Sequence, residues 1–316
     1  VSELTKFMFQ GLPVRGAHVR LTDAWTEILR RRANHAGGAW APPLRTLLGE
    51  MTAAGVLMHS SIKFDGTLLL QIQGDGPVKL AVAEVNADSS LRATATVQGE
   101  VLDGASLPEM VNVNNEGRCA ITLDPRSRQP GQQAYQGVVP LFGDRREKLT
   151  RISDVLAHYM LQSEQLDTTL VLAANDSVAA GLLLQRMPAT GGQAVTDDAD
   201  AYNRLSILAQ SLQPEELLNL EADTVLHRLY WQEPVMKLEL PARQQYPRFA
   251  CTCSRERVGK MMRGLGLAEV EGILAEQGQV EVGCEFCGLQ YRFDAVDAAQ
   301  VFVDSAALPQ QSGTVQ

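Results

Sequence analysis

Apolar residues alternate with polar ones, or run unbroken between turn formers, at Thr67 to Gln73, Val78 to Val85, Leu91 to Val97, Ala120 to Leu123 and Thr169 to Ala173. These segments predict strands, punctuated by Gly, Asp and Pro. Between Arg146 and Gln162 the period changes: Leu149, Ile152, Leu156 and Tyr159 share one face of a predicted helix. The apolar stretch Leu44 to Ile62 contains Arg45, Glu50 and His59, which predicts a buried helix and not a membrane span. Strands follow one another without regular intervening helices. That order predicts an α+β fold, a mixed but largely antiparallel sheet with packed helices. The GDGP of Gly74 to Pro77 lacks the Lys-Ser/Thr ending of a phosphate loop and a following helix, so it reads as a hairpin turn.

From about Pro188 the pattern thins into PATGGQAVTDDADAY, small, polar and acidic, a loop leaving the main core. Two amphipathic patterns follow. Leu205, Leu208 and Leu212 lie on one face of the first; Leu218, Ala222, Val225 and Leu229 lie on one face of the second, which Pro214 opens at its first position with Glu215 and Glu216 in the first turn. Each is too short to be stable alone and must dock on something. The segment EPVMKLELPARQQYPRF, with three prolines, reads as an extended connector. The expected divisions are therefore residues 1–190, a helical linker 191–245, a small domain 246–300 and a tail 301–316.

Composition narrows the function. A chain of 316 residues, 45% hydrophobic and 21% charged, is ordinary globular material that needs no disulfides for size alone. The segment VSELTKFMFQ has no basic region followed by an apolar run, so no secretory signal is expected and the protein is placed in the cytoplasm. Thiols stay reduced there, which favours metal ligands or redox groups over permanent staples. A net charge of -9 speaks against nucleic acid as the main partner.

Of five cysteines, four fall in two short pairs, Cys251 with Cys253 and Cys284 with Cys287, separated by a thirty-residue spacer. In CEFCG a two-residue gap followed by Gly288 fits a metal knuckle, in which the turn aims both sulfurs at one ion and backbone amides donate to them. CTC is tighter but converges on the same ion from an extended or turning segment. Four thiolates and no nearby histidine point to one Zn²⁺ per chain. SRERVGKMMRGLG and LAEVEGILAEQG predict two short helices between the pairs. A module this small should depend on its metal. Arg255 and Arg257, beside CTC, should favour the ionised thiols. Cys119, at the head of CAITL, reads as a buried, inert thiol. His18, His35, His59, His158 and His227 are scattered, and no nucleophile–base or paired-carboxylate constellation stands out, so no enzymatic activity is expected.

Two other readings of the cysteines stay open on residues alone. A zinc ribbon binding nucleic acid would need a basic face, yet residues 246–294 hold six Lys and Arg against seven Asp and Glu. A dithiol oxidoreductase would explain CEFC but leave CTC idle.

CTCSRERV, the spacer and CEFCGLQYRF, together with KFDGTLLLQIQGDGP, AYQGVVPL, YMLQSEQL and HRLYW, resemble the heat shock protein 33 family along nearly the whole chain. The resemblance implies an ATP-independent, redox-regulated holdase, inactive when reduced and zinc-bound. Residues 1–190 would bind unfolding client proteins, 191–245 would be a metastable linker and 246–300 the zinc-binding redox switch. Cys251, Cys253, Cys284 and Cys287 would be zinc ligands and redox thiols, forming disulfides Cys251 to Cys253 and Cys284 to Cys287. Leu205, Leu208, Leu212, Leu218, Val225 and Leu229 would pack the linker over the client surface. Neither nucleic acid nor membrane is an expected partner, and dimerisation is expected on oxidative activation.

Overall fold

The computed structural model describes residues 1–127, 131, 133–187 and 200–306, so most of the expected 188–202 loop and the last ten residues of the tail lie outside the described residues. Contacts divide the chain into two compact units, Val1–Ala250 and Cys251–Gln316.

The first unit begins with β1 (Glu3–Phe9), β2 (Val14–Leu21), α1 (Asp23–Ala33) and α2 (Pro42–Ser61), followed by β3 (Gly66–Gln73), β4 (Val78–Asn86) and β5 (Ser90–Val97). Next come α3 (Leu107–Val111), β6 (Arg118–Pro125), β7 (Tyr135–Pro140), α4 (Ile152–Glu164), β8 (Thr168–Ala174) and β9 (Ala179–Arg186). Beyond the undescribed segment are α5 (Ala201–Gln210), α6 (Pro214–Asn219), α7 (Ala222–Tyr230), β10 (Val235–Leu238), α8 (Ala242–Gln245) and β11 (Arg248–Phe249). The second unit contains α9 (Arg255–Leu265), α10 (Leu267–Gln277), β12 (Val280–Gly283), β13 (Gln290–Phe293) and α11 (Ala295–Ala306).

In the first unit the strands form a five-stranded sheet, β10-β1-β2-β9-β8, and a six-stranded sheet, β11-β5-β4-β3-β6-β7. Every pairing is antiparallel except the short β11–β5 contact. The fold is thus α+β. α2 packs against strands of both sheets, which explains why Leu44, Leu48, Met51 and Leu57 are all inaccessible and why its sequence is apolar nearly all round. No described helix is long and apolar enough to cross a membrane.

The five-stranded sheet is covered on both faces. On β2, Ala17, Val19 and Leu21 join the core around α2, while Val14 faces a second core with Phe7, Phe9, Leu182 and Leu184. α5, α6 and α7 cover that second face through Leu205, Leu212, Leu217, Val225, Leu226 and Tyr230. β9 (AAGLLLQR) is therefore an unbroken buried run, as expected of a strand with both sides dry.

Three local expectations need correction. The helix expected from Arg146 begins only at Ile152: Arg146 has φ 61°, a left-handed conformation, and Phe142 bridges to Lys148. The second linker pattern is two helices, because Leu220 is extended (φ -99°, ψ 147°) between α6 and α7; Pro214 does open α6. The connector is strand-bound: β10 adds to β1, and β11 lies along β5 with Arg248 paired to Asp88 at 2.5 Å. The GDGP turn does join β3 to β4, and the Asp75 carboxylate in it accepts the backbone N–H groups of Val113, Asn114 and Glu116.

A candidate metal and redox centre

Cys251 and Cys253 lie in the irregular segment before α9, whose N-cap Ser254 accepts the Arg257 N–H. Cys284 and Cys287 lie in the turn between β12 and β13. That turn closes as CEFCG suggests: Gly288 N donates to Cys284 O at 2.8 Å, Cys284 N donates to Leu289 O at 2.9 Å, and Gly288 takes φ 74°. A side chain at Gly288 would be strained in this left-handed conformation.

The four sulfurs converge. Their Sγ atoms all lie within 4.8 Å of one another, with Cys251 to Cys284 at 3.6 Å and Cys253 to Cys287 at 3.3 Å. A tetrahedral Zn²⁺ with Zn–S bonds of about 2.3 Å places its sulfurs about 3.8 Å apart. The separations fit that geometry, and soft thiolates are the donor set such a site uses. Among the described residues this is the one His/Cys/Asp/Glu group compact enough to hold a metal ion.

Burial and shared protons set the thiol chemistry. Burial raises the Cys284 pKa, opposed by the backbone N–H groups of Cys287 and Phe286. Cys287 is raised by burial and by its neighbouring thiols, with the Leu289 N–H opposing. Four protonated thiols at this spacing crowd one another, whereas thiolates around a cation do not. Tyr291 is a participant sequence reasoning missed: its hydroxyl donates to Cys253 Sγ at 3.2 Å, and this bond heads the causes that raise its pKa. The signal was available in QYRF, since Tyr291 and Phe293 alternate inward along β13 beside the CxxC turn.

The two arginines beside CTC each have definite partners. Arg255 pairs with Asp297 at 2.7 Å and stacks 4.1 Å over the Phe293 ring, while Arg257 donates to the Thr252 carbonyl. Cys119 belongs to the other unit, on β6 in its core, where burial pushes its pKa up to about 12. It stays protonated and unreactive at neutral pH. The Cys284–Cys287 turn leads into β13, so it lacks the helix N-terminus on which a thioredoxin-like thiol relies.

Of the expected linker positions, Leu205, Leu212, Val225 and Leu229 are buried, whereas Leu208 and Leu218 are only partly so. Leu217, one residue off the expected stripe, is fully buried. Polar contacts add to the seat: Thr169 Oγ1 on β8 meets Tyr202 OH at 2.9 Å and Ser206 Oγ at 2.6 Å on α5, and Arg20 donates to Leu218 O at 3.2 Å.

A family model described as Hsp33 protein matches residues 2–294. The chain belongs to the Hsp33 family. It is 46% identical over 300 residues to the 33 kDa chaperonin of Chromobacterium violaceum, covering 95% of this chain and 93% of that protein. It is 42% identical over 307 residues to the 33 kDa chaperonin of Methylobacillus flagellatus, covering 97% and 96%. The fold is that of the crystal structure of the 33 kDa chaperonin from Thermotoga maritima, with a TM-score of 0.74, 19% identity, and 96% and 99% of the two chains aligned. Hsp33 proteins are redox-regulated chaperones, holdases and not enzymes, and that is the function of this chain.

Proposed function

We propose that the four-cysteine centre is the sensor of the chaperone and that α5–α7 are its restraint. The observation that carries this reading is the convergence of four Sγ atoms, from two segments thirty residues apart, within 4.8 Å. In the reduced state Cys251, Cys253, Cys284 and Cys287 hold one Zn²⁺, whose chemistry is to cross-link the two segments and keep the thiols ionised. Residues 1–190 form the client-binding domain, 191–245 the releasable linker and 246–300 the switch. The setting is the cytoplasm.

Oxidation removes the ligands. Two thiols joining as a disulfide give up two electrons and two protons, which reduce one hydrogen peroxide to two waters. Two such events, Cys251 with Cys253 and Cys284 with Cys287, exhaust the ligand set. A tetrahedral cluster brings every sulfur near every other, so its geometry selects no pairing; the pairing within each motif rests on the family resemblance. With its cross-link gone the switch unfolds, the linker leaves the five-stranded sheet, and the face bearing Phe7, Phe9, Leu182 and Leu184 becomes available to unfolding clients. Exposed apolar faces of two chains then favour dimerisation.

Peroxide treatment of the reduced protein under mildly unfolding conditions tests the sensor. Expected are one zinc released per chain, two disulfides within the motifs by mass mapping, Cys119 still reduced, and a parallel gain in suppression of client aggregation. A dominant Cys251–Cys284 or Cys253–Cys287 bridge would overturn the pairing. Full aggregation suppression with all four thiols reduced and zinc retained would overturn the sensor.

A further inference from the structure

A cavity of about 240 Å³ lies in the first unit, where β1, the end of α2, the loop into β3 and the connector around α8 meet. Lys6, His59 and Lys63 line it, with Ser60, Ser89 and Gln244 as neutral polar groups; Val56, Phe64 and Leu240 are among its apolar walls. A second cavity of about 180 Å³ shares Lys6 and Ser60 with the first and adds Arg15. Among the described residues, no Asp or Glu lines either one. In a chain with 37 acidic against 28 basic side chains, that is a local reversal of charge.

Among the described residues, no carboxylate forms an ion pair with Lys6 or Arg15. Lys6 Nζ donates to the Ser60 carbonyl at 2.5 Å, which uses one of its three N–H groups. Arg15 donates to Gln185 Oε1, a neutral acceptor, at 3.1 and 2.5 Å. Of the acids nearby, Asp65 faces Arg126 at 3.7 Å and also acts on His59, and Asp88 is held by Ser90 and Arg248. Burial, and then Arg15, lower the Lys6 pKa, the direction expected of an ammonium short of counter-charge. Gln244 anchors the connector here by accepting from Ser89 Oγ at 3.1 Å through its carbonyl.

We propose that this cavity binds a small organic anion, a carboxylate on a compact apolar body, with its charge on Lys6 and Lys63 and its body against Val56, Phe64 and Leu240. The volume suits a small ligand: at about 30 Å³ per water-sized group it holds about eight non-hydrogen atoms. Because Leu240 and Gln244 belong to the connector, an occupied site fastens that segment to β1 and α2. The binding site stands on cavity and charge alone and does not depend on the chaperone reading.

Benzoate is the probe and benzamide, its neutral isostere, the control, each titrated into the reduced full chain at constant ionic strength and followed by amide NMR. Saturable benzoate shifts at Lys6, Ser60 and Gln244 are expected, with benzamide at least about tenfold weaker. Lys6→Met should weaken benzoate about tenfold or more. That residue also tethers the end of α2, so Lys63→Glu, at an exposed position, decides the matter if Lys6→Met fails to fold; about a fivefold loss or more is expected. Shifts linear in concentration, equal binding of benzamide, or undiminished benzoate affinity in Lys63→Glu would each overturn the site.

Discussion

In the unit of residues 1–250, Trp25, Tyr159, Tyr230, Phe7 and Phe9 are among the largest fully buried side chains, and two apolar cores lie on either side of one sheet. In the unit that begins at Cys251, the core among the described residues is seven buried side chains, Phe293 the largest fully buried among them. Leu265, Leu267 and Leu289 there remain 55%, 48% and 53% exposed. The larger unit has enough apolar area to stand on burial. The smaller falls in the size range where burial and chain entropy nearly cancel, and a metal or another staple must supply the difference. A sensor benefits from that contrast, since one chemical event can unfold the small unit and leave the large one intact.

The sharpest way to break this contrast is to remove the metal. Chelating the Zn²⁺ proposed for this centre should withdraw stabilisation on the order of 10 to 16 kcal/mol, more than so small a described core supplies. Amide exchange should show α9, α10 and the β12–β13 hairpin losing protection while β3, β4 and β9 keep theirs. Retained protection in α9 and α10 without zinc would mean that the small unit is apolar-stabilised after all.

A second experiment separates the linker from both. Leu205 and Leu217 are fully buried against the five-stranded sheet, and truncating each to Ala should cost about 2 to 5 kcal/mol. In Leu205→Ala/Leu217→Ala, α5–α7 should become protease-sensitive and the protein should suppress aggregation with zinc and four thiols intact, read by light scattering of an unfolding client with metal and thiol content checked in the same sample. Linker cleavage without client protection would show that release alone is insufficient.

The smallest effect sharpens the comparison through pH. Glu50 sits on α2 in the larger unit, and burial raises its pKa from 4.5 to about 7, with Arg151 pulling the other way. The folded state keeps a proton that the unfolded chain gives up, so the stability of this unit falls as pH rises from about 4.5 to about 7. Glu50→Gln should flatten that slope and add up to about 3 kcal/mol above the window, measured as urea midpoints at about pH 5 and pH 8. An unchanged pH dependence in the variant would remove Glu50 as its source.

Local chemistry was legible where the cause was local. C-x-C and C-x-x-C-Gly carry their metal-binding geometry in a few residues, and Gly288 takes the conformation the knuckle requires. The alternating strands β3, β4 and β5 declared themselves because their patterns reflect a half-covered sheet. β1, β2, β7, β9 and β10 did not. β9 is buried on both faces, which erases alternation, and β10 exists as a strand because β1 offers an edge. The stop before α4 was hidden for a related reason: Leu149 fits the helical stripe, but its N–H goes to Leu141 O.

The sequence by itself therefore determined the composition of the cysteine centre, the α+β class and the presence of short amphipathic helices that need a seat, because each depends on residues close together in the chain. Tertiary structure alone decided which leucines take that seat, Leu217 and not Leu218, and that Arg255 pairs with Asp297 and stacks over Phe293. It also decided that Lys6, Lys63 and Arg15 line two adjoining cavities with no carboxylate among their described walls. Burial and pairing are properties of what arrives from elsewhere in the chain, and one residue of helical phase or one competing acceptor is enough to redirect a side chain whose local pattern is unchanged.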